Sequence, residues 1–234
     1  MIVHGLQSEQ GEELVSELGE ENAALHIEDL TLGGCPQRLV EFAVTRFGKL
    51  DAIVNNAALI ATGTIHDTDA ARFSEFLAIN TLAPYLLIQA ALPRLRETHG
   101  CVLNIGSVNA HSGEPELLPY AVSKGALMTM TRNLGDTLMR EDGVRVNQVN
   151  PGWVLTEAEE KRKREEGFPE NWYTDLPKVF APVGRIIFPN EIAAAAVYWL
   201  ADESGPISGQ VVDLEQYPLI GRNPPKNKTT IPDE

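Results

Sequence analysis

Six short apolar runs, MIVH, AALHI, LDAIVNN, CVLNIG, VRVNQVN and GQVVDL, recur along the chain with long helical patterns between them. The helical stretches fall near residues 8 to 19, 34 to 47, 67 to 97, 119 to 141 and 189 to 201. Such alternation is the layout of a parallel sheet covered by helices, so an α/β architecture of six strands and five helices is expected. At 234 residues, one domain over residues 1 to 220 buries a sufficient core without disulfides or metal. No internal repeat divides it.

A formal charge of −14 argues against nucleic acid or an anionic membrane as a main partner, because both recruit basic patches. Cys35 and Cys101 stand far apart and outside metal-like spacing, so both read as reduced thiols and no metal site is expected. No apolar run approaches the ~18 residues of a membrane span and no signal-type segment opens the chain, which makes the cytoplasm the expected location.

Residues 155 to 182 interrupt the alternation with a charged segment, EAEEKRKREE, followed by GFPENWYTDLPKVFAP. Glu159 with Lys163 and Glu160 with Arg164 are favourable pairs four apart on a solvated helix face. Phe168, Trp172 and Tyr173 follow, and a loop of that length in a compact domain suits a lid over a substrate. Residues 221 to 234 read as a flexible tail.

The chemistry gathers in SVNAHSGEPELLPYAVSK. Ser107 closes a strand, and open α/β sheets bind ligands beyond the carboxyl ends of their strands. Pro119 suits the first turn of the next helix, which stacks Tyr120 and Lys124 on one face together with Leu127, Leu134 and Leu138. A phenol titrates near ~10, too high for ready proton exchange at neutral pH, and a lysine cation beside it lowers that value. Ser107 then holds a substrate oxygen while Tyr120 passes it a proton. The alternative is a buried tyrosine bonded to backbone, with Lys124 reaching for water.

Asn80 lies in FLAINTLAPYLLIQ seven, four and three residues after Phe73, Phe76 and Leu77. A polar side chain on that apolar stripe needs a reason. Pro84, four residues on, has no N–H to offer the Asn80 carbonyl, which is then free to hold a water. A kinked helix with a satisfied core asparagine is the other account.

With Tyr120 thirteen positions after Ser107, LDAIVNNAA upstream and NPGWVLT downstream, the chain resembles the short-chain dehydrogenase/reductase family from Met1 to about Asp213. The resemblance implies a Rossmann-like doubly wound parallel sheet with helices on both faces. It also implies an NAD(P)-dependent oxidoreductase that interconverts a secondary alcohol and a ketone. Asn80, Ser107, Tyr120 and Lys124 fall on the family's catalytic positions. Tyr120 is then the acid/base, Lys124 its pKa modifier and ribose anchor, Ser107 the substrate-oxygen donor and Asn80 the water holder. Adenine is expected beside Asp29 and Leu30, the adjoining ribose near Asn55 and Ala57, and the nicotinamide amide against Pro151, Val154 and Thr156. Asn55 also reads as a stabiliser of its own strand, and Thr156 as a helix cap. Ala58 replaces the glycine usual in NNAG, and DLEQYPLIGR departs from the glycine-rich ending. Asn109, His111 and Trp153, with Leu59, Glu114 and the lid, form the expected wall for a small alcohol or carbonyl substrate. The helices at 67 to 97 and 119 to 141 are expected to make a homodimer or homotetramer.

The family opens with a strand and a glycine-rich turn into a helix that holds the pyrophosphate. Here MIVHG resembles the second strand, so the first is expected to be missing and two inner strand edges left unpaired or forced to close the gap. Two accounts stand: a recorded start that falls too late, favoured because the catalytic set persists together, and a truncated, non-catalytic binding or interaction protein. Gly5, Leu6 and Gln7 carry neither the acidic residue that favours NAD nor the arginine that favours NADP.

Overall fold

The computed structural model describes residues 1–111 and 113–220, so the expected tail at 221 to 234 lies outside the described residues. Among them the order is β1 (Ile2–Gly5), α1 (Ser8–Leu18), β2 (Ala24–Ile27), α2 (Cys35–Phe47), β3 (Ala52–Asn55), α3 (Ala70–Leu77), α4 (Ala83–Thr98) and β4 (Cys101–Ile105). There follow α5 (Leu118–Asp142), β5 (Arg145–Pro151), α6 (Glu157–Glu165), α7 (Pro189–Leu200) and β6 (Val211–Leu214). Local chemistry sets the ends. The Asp69 carboxylate accepts the Arg72 amide at 2.8 Å to start α3, and Gly48 and Gly143 close α2 and α5 in left-handed conformations that cost glycine little.

Every ladder is parallel, but the strands form two sheets: β1 with β2, and β3-β4-β5-β6 in that order. The sheet does not rearrange to close the gap. No ladder joins β1 to β3, and Val54 in β3 remains 44% exposed. The interior strands are the opposite case, with Val102, Leu103, Val146 and Val149 buried. The expected split of the sheet is therefore present, and it stands as two open strand edges.

Strand alternation sorts the side chains of the larger sheet onto two faces. Val102 and Val146 join Leu87, Ile88, Ala91 and Leu95 of α4, Leu138 of α5 and Leu39 and Val40 of α2 in one apolar cluster. The alternate residues face α7: Cys101 Sγ contacts the Leu200 carbonyl at 3.6 Å and Arg145 Nη1 donates to the Trp199 carbonyl at 3.2 Å. Helices thus cover both faces, and the carboxyl ends of β3, β4 and β5 meet at one rim.

The helix expected at 67 to 97 is broken where Pro84 demands it. Residues Ala78–Leu82 form a π turn, in which the Ala83 amide reaches back to the Ala78 carbonyl. An extra residue per turn is how a helix absorbs a missing N–H, and such turns recur at functional positions. Taken together, Ala70–Thr98 is long and apolar enough to cross a membrane, with a mean hydropathy of 1.4 over its most apolar window. That corrects the expectation that no segment approaches this length. Its apolar side is spent on the protein core, since α4 supplies four residues of the main cluster.

Residues 155 to 182 contain α6 and a short turn at Trp172–Thr174. The Arg164 and Glu160 pair forms as expected, but Glu159 and Lys163 do not meet. Glu159 turns inward to accept the Trp153 indole N–H at 2.8 Å and pairs with Arg162, while Lys163 pairs with Glu166 at 2.6 Å and covers the Phe168 ring.

Candidate functional site

Ser107 leaves the carboxyl end of β4 in an extended conformation (φ −164°, ψ 149°). Its backbone N–H donates to Asn150 Oδ1 at 3.2 Å, and its hydroxyl oxygen accepts the Asn109 amide at 3.1 Å. Tyr120 and Lys124 rise from the first turns of α5, where Pro119 opens the helix. The helix spacing places both at the rim, and both are buried.

Burial pushes the Tyr120 phenol above its usual value, and the neighbouring Ser107 side chain opposes that rise. Lys124 is 3% exposed, and desolvation brings its ammonium down to about 8. Its Nζ donates to the Ile105 carbonyl at 2.7 Å and stands 5.8 Å from the Tyr120 ring centre. The ammonium is aimed at backbone, and burial is the largest influence on the phenol.

Asn80 is buried at the centre of the π turn. Its Oδ1 accepts the Leu59 amide at 2.8 Å, while Nδ2 donates to the Leu59 carbonyl at 3.0 Å and to Ser123 Oγ at 2.9 Å. Ser123 Oγ in turn donates to the Tyr120 carbonyl at 2.7 Å. The Asn80 side chain thus ties the loop after β3 to the helix that carries Tyr120 and Lys124. This is the satisfied-asparagine account for the side chain, and it leaves any water-holding to the backbone.

The residues expected at the cofactor divide by what their side chains already do. Asp29 accepts both the amide and the hydroxyl of Thr31 at 2.8 Å, bonds that lower its pKa. Asn55 donates to Asn104 Oδ1 at 2.8 Å, so its side chain serves the sheet. Thr156 caps α6 by accepting the Glu159 amide at 3.1 Å. Pro151 ends β5, Val154 bridges to Ile187, and Ala57 lies in the exposed loop after β3. Leu30 packs against the main core and, with Thr31, Leu32, Ala78 and Leu82, lines a cavity of about 200 Å³ whose walls are mainly apolar.

The expected substrate wall is only partly gathered. Trp153 stacks on Trp172 at 5.3 Å between ring centres, and Phe168 and Tyr173 meet Trp172 edge-on. Trp172 is 5% exposed, and its indole N–H has no partner among the described residues. Asn109 serves Ser107 through its backbone. His111 turns away to Asp213, with Nε2 3.0 Å from Oδ1. Ser123, Gln148, Asn150 and Asp213 were missed by sequence reasoning. The signal was available in VRVNQVN, where three amide side chains interrupt a run that must be buried. No His, Cys, Asp and Glu cluster among the described residues suits a metal ion.

A family model described as enoyl-(acyl carrier protein) reductase matches residues 2–215. The chain belongs to the short-chain dehydrogenase/reductase family. It is 39% identical over 170 residues to the L-fucose dehydrogenase of Mus musculus, a match covering 72% of this chain and 61% of the mouse protein. It is 30% identical over 219 residues to an uncharacterized oxidoreductase of Thermotoga maritima, covering 92% and 85% of the two chains. A 2-(S)-hydroxypropyl-CoM dehydrogenase of Xanthobacter autotrophicus is 33% identical over 183 residues, 77% of this chain and 71% of its own. The chain thus spans about three fifths of the mouse relative's length, at 61%.

Proposed function

We propose that this short-chain dehydrogenase/reductase interconverts a secondary alcohol and a ketone with NAD or NADP, and that Tyr120 moves the proton. The observation that carries the reading is the placement of the Ser107 side chain beside the buried Tyr120 phenol at the carboxyl end of β4. In this reading the two hydroxyls are the donors to one substrate oxygen. A phenol raised by burial keeps its proton at neutral pH, so Tyr120 acts most directly as a general acid in ketone reduction. Lys124, brought to about 8, is poised to exchange charge near neutrality.

The nicotinamide cofactor supplies hydride chemistry when bound, while the chain orients and protonates. The residues present fit such a group in part. The apolar cavity at Leu30, Ala78 and Leu82 suits the flat base of a nucleotide. Ala57 and Val154 offer backbone contacts, whereas Asp29, Asn55 and Thr156 have side chains already engaged. Gly5 stands in open space among the described residues, so bulk there favours neither nucleotide. Leu82, Tyr85 and Val122 remain exposed on the helices expected to join subunits, which fits a homodimer or homotetramer and is read by light scattering on the purified chain. The mouse relative's name makes L-fucose the first substrate to try.

The test has two stages. Calorimetric titration with NADH and then NADPH should give saturable binding, and L-fucose oxidation should then be lost in Tyr120→Phe with binding retained. The rival reading is a non-catalytic binding protein. It wins if the folded chain binds neither nucleotide, or if Tyr120→Phe leaves turnover unchanged.

A further inference from the structure

Five buried side chains form one hydrogen-bonded line across the larger sheet. Asn55 Nδ2 donates to Asn104 Oδ1 at 2.8 Å, Asn104 Nδ2 donates to Thr131 Oγ1 at 2.8 Å, and the Thr131 hydroxyl donates to Gln148 Oε1 at 2.8 Å. Gln148 Nε2 then donates to Asn150 Oδ1 at 2.7 Å, and Asn150 Nδ2 donates to Asp213 Oδ1 at 2.9 Å. The Leu127 carbonyl also lies 2.9 Å from the Thr131 hydroxyl, but it already faces the amide one helical turn on. The line follows strand register, since Asn55, Asn104 and Gln148 are direct partners, as are Asn150 and Asp213.

Every donor points the same way, toward the Asp213 carboxylate. An ionised carboxylate only accepts, so Asn150 must turn its NH₂ to Asp213 and its oxygen to the opposite side. That oxygen receives two N–H groups, from Gln148 and from the Ser107 backbone. Turning the Asn150 amide over would set donor against donor at Ser107 and at Gln148, and the Gln148 and Thr131 bonds would have to reverse as well. Aligned bonds in a dry interior reinforce one another, and an unmet one is costly. The fit leaves no room for a side chain at residue 106, where a Cβ would overlap Asn150 Oδ1 and Gln148 Nε2.

We propose that Asp213 is a positioning residue for Ser107, acting through Asn150, with the amide line set in one sense by its carboxylate. His111 Nε2, 3.0 Å from the same oxygen, covers the outer end. The catalytic meaning of this device rests on the proposed role of Ser107, whereas the device itself does not.

The test compares Asp213→Ala with Asp213→Asn. Asparagine still presents an oxygen to Asn150, and alanine presents nothing. In the folded full chain, amide exchange at Ser107 followed by NMR should speed up about tenfold in the alanine variant, the worth of one buried hydrogen bond. Amides inside β4 should keep their rates, and the asparagine variant should stay near wild type. With L-fucose as probe, kcat should fall by about tenfold in Asp213→Ala with KM little changed, and Asp213→Asn should recover it. If the alanine variant does not fold, Asp213→Ser, polar but too short to reach Asn150, must show the same faster exchange. Unchanged exchange at Ser107, or equal behaviour of the alanine and asparagine variants, overturns the proposal. A wild type that turns over no L-fucose counts against the substrate reading alone, because the exchange comparison still decides the role of Asp213.

Discussion

The two sheets of this molecule are made from similar strands and end up in different physical states. In β4 and β5 most residues are buried, with partner strands on both sides and helices on both faces. In β1 and β2 no residue is buried, and β1 has a ladder on one side only. Valine and isoleucine occur in both places, so propensity does not separate them. Neighbours do: a strand flanked by two others meets its backbone hydrogen bonds and loses its solvent together. Ser107, Tyr120 and Lys124 all stand on the well-enclosed half, whereas Asp29 and Leu30 follow β2 of the open half. The groups proposed to handle the proton thus stand on enclosed ground, and part of the expected nucleotide contact hangs on more open ground.

The largest expected effect that sharpens this contrast is in the core. Leu103→Ala, in a fully buried strand position, should cost ~2–5 kcal/mol and shift the whole unfolding transition. Val3→Ala, in the partly exposed β1, should cost under about 1 kcal/mol and leave the main transition in place. Paired urea melts read both.

Lys124→Met should act in the reverse direction. The ammonium titrates near about 8 in the folded chain against 10.5 when unfolded, so below pH 8 its burial opposes folding by roughly 3 kcal/mol, at about 1.4 kcal/mol per unit. Methionine removes that opposition, and the net gain is reduced by the lost bond to Ile105. A higher melting temperature with no turnover is the expected pair of results. A lower one would mean that the Ile105 bond outweighs desolvation.

A smaller effect should appear in the open half on acidification. His4 stacks on His26, its Nε2 is buried without a partner among the described residues, and desolvation followed by repulsion from His26 lowers its pKa. A lowered histidine leaves folding unopposed above ~6.5, and stability falls as pH drops below that value, because the unfolded chain takes the proton first. Melts from pH 7.5 to 5.5 should show this loss, and His4→Phe should flatten it. Smallest of all, Arg164→Ala breaks only a surface pair with Glu160 and should change stability by less than about 0.5 kcal/mol.

Much of the fold was legible because it rests on local pattern. The six runs became six strands and the helical stretches became helices, since period and punctuation are written in neighbouring residues. That Ser107, Tyr120 and Lys124 stand together at one strand end was legible from their spacing, and the break near Asn80 from Pro84. What stayed hidden depends on contacts far apart in sequence. That Asn104, Gln148, Asn150 and Asp213 lie in one line requires the register of three strands. That Lys124 Nζ bonds the Ile105 carbonyl requires the helix to be docked. The pairing of His111 with Asp213 joins residues 102 positions apart, a distance no local pattern reports.

Hydrogen exchange of the intact chain, read by mass spectrometry with peptides from both halves, tests the division between them most directly. Peptides covering β4, the start of α5 and β5 should exchange only by global unfolding, while those covering β1, α1 and β2 should exchange through a cheaper local opening. Equal protection in both halves would contradict the account, and so would early exchange at the start of α5.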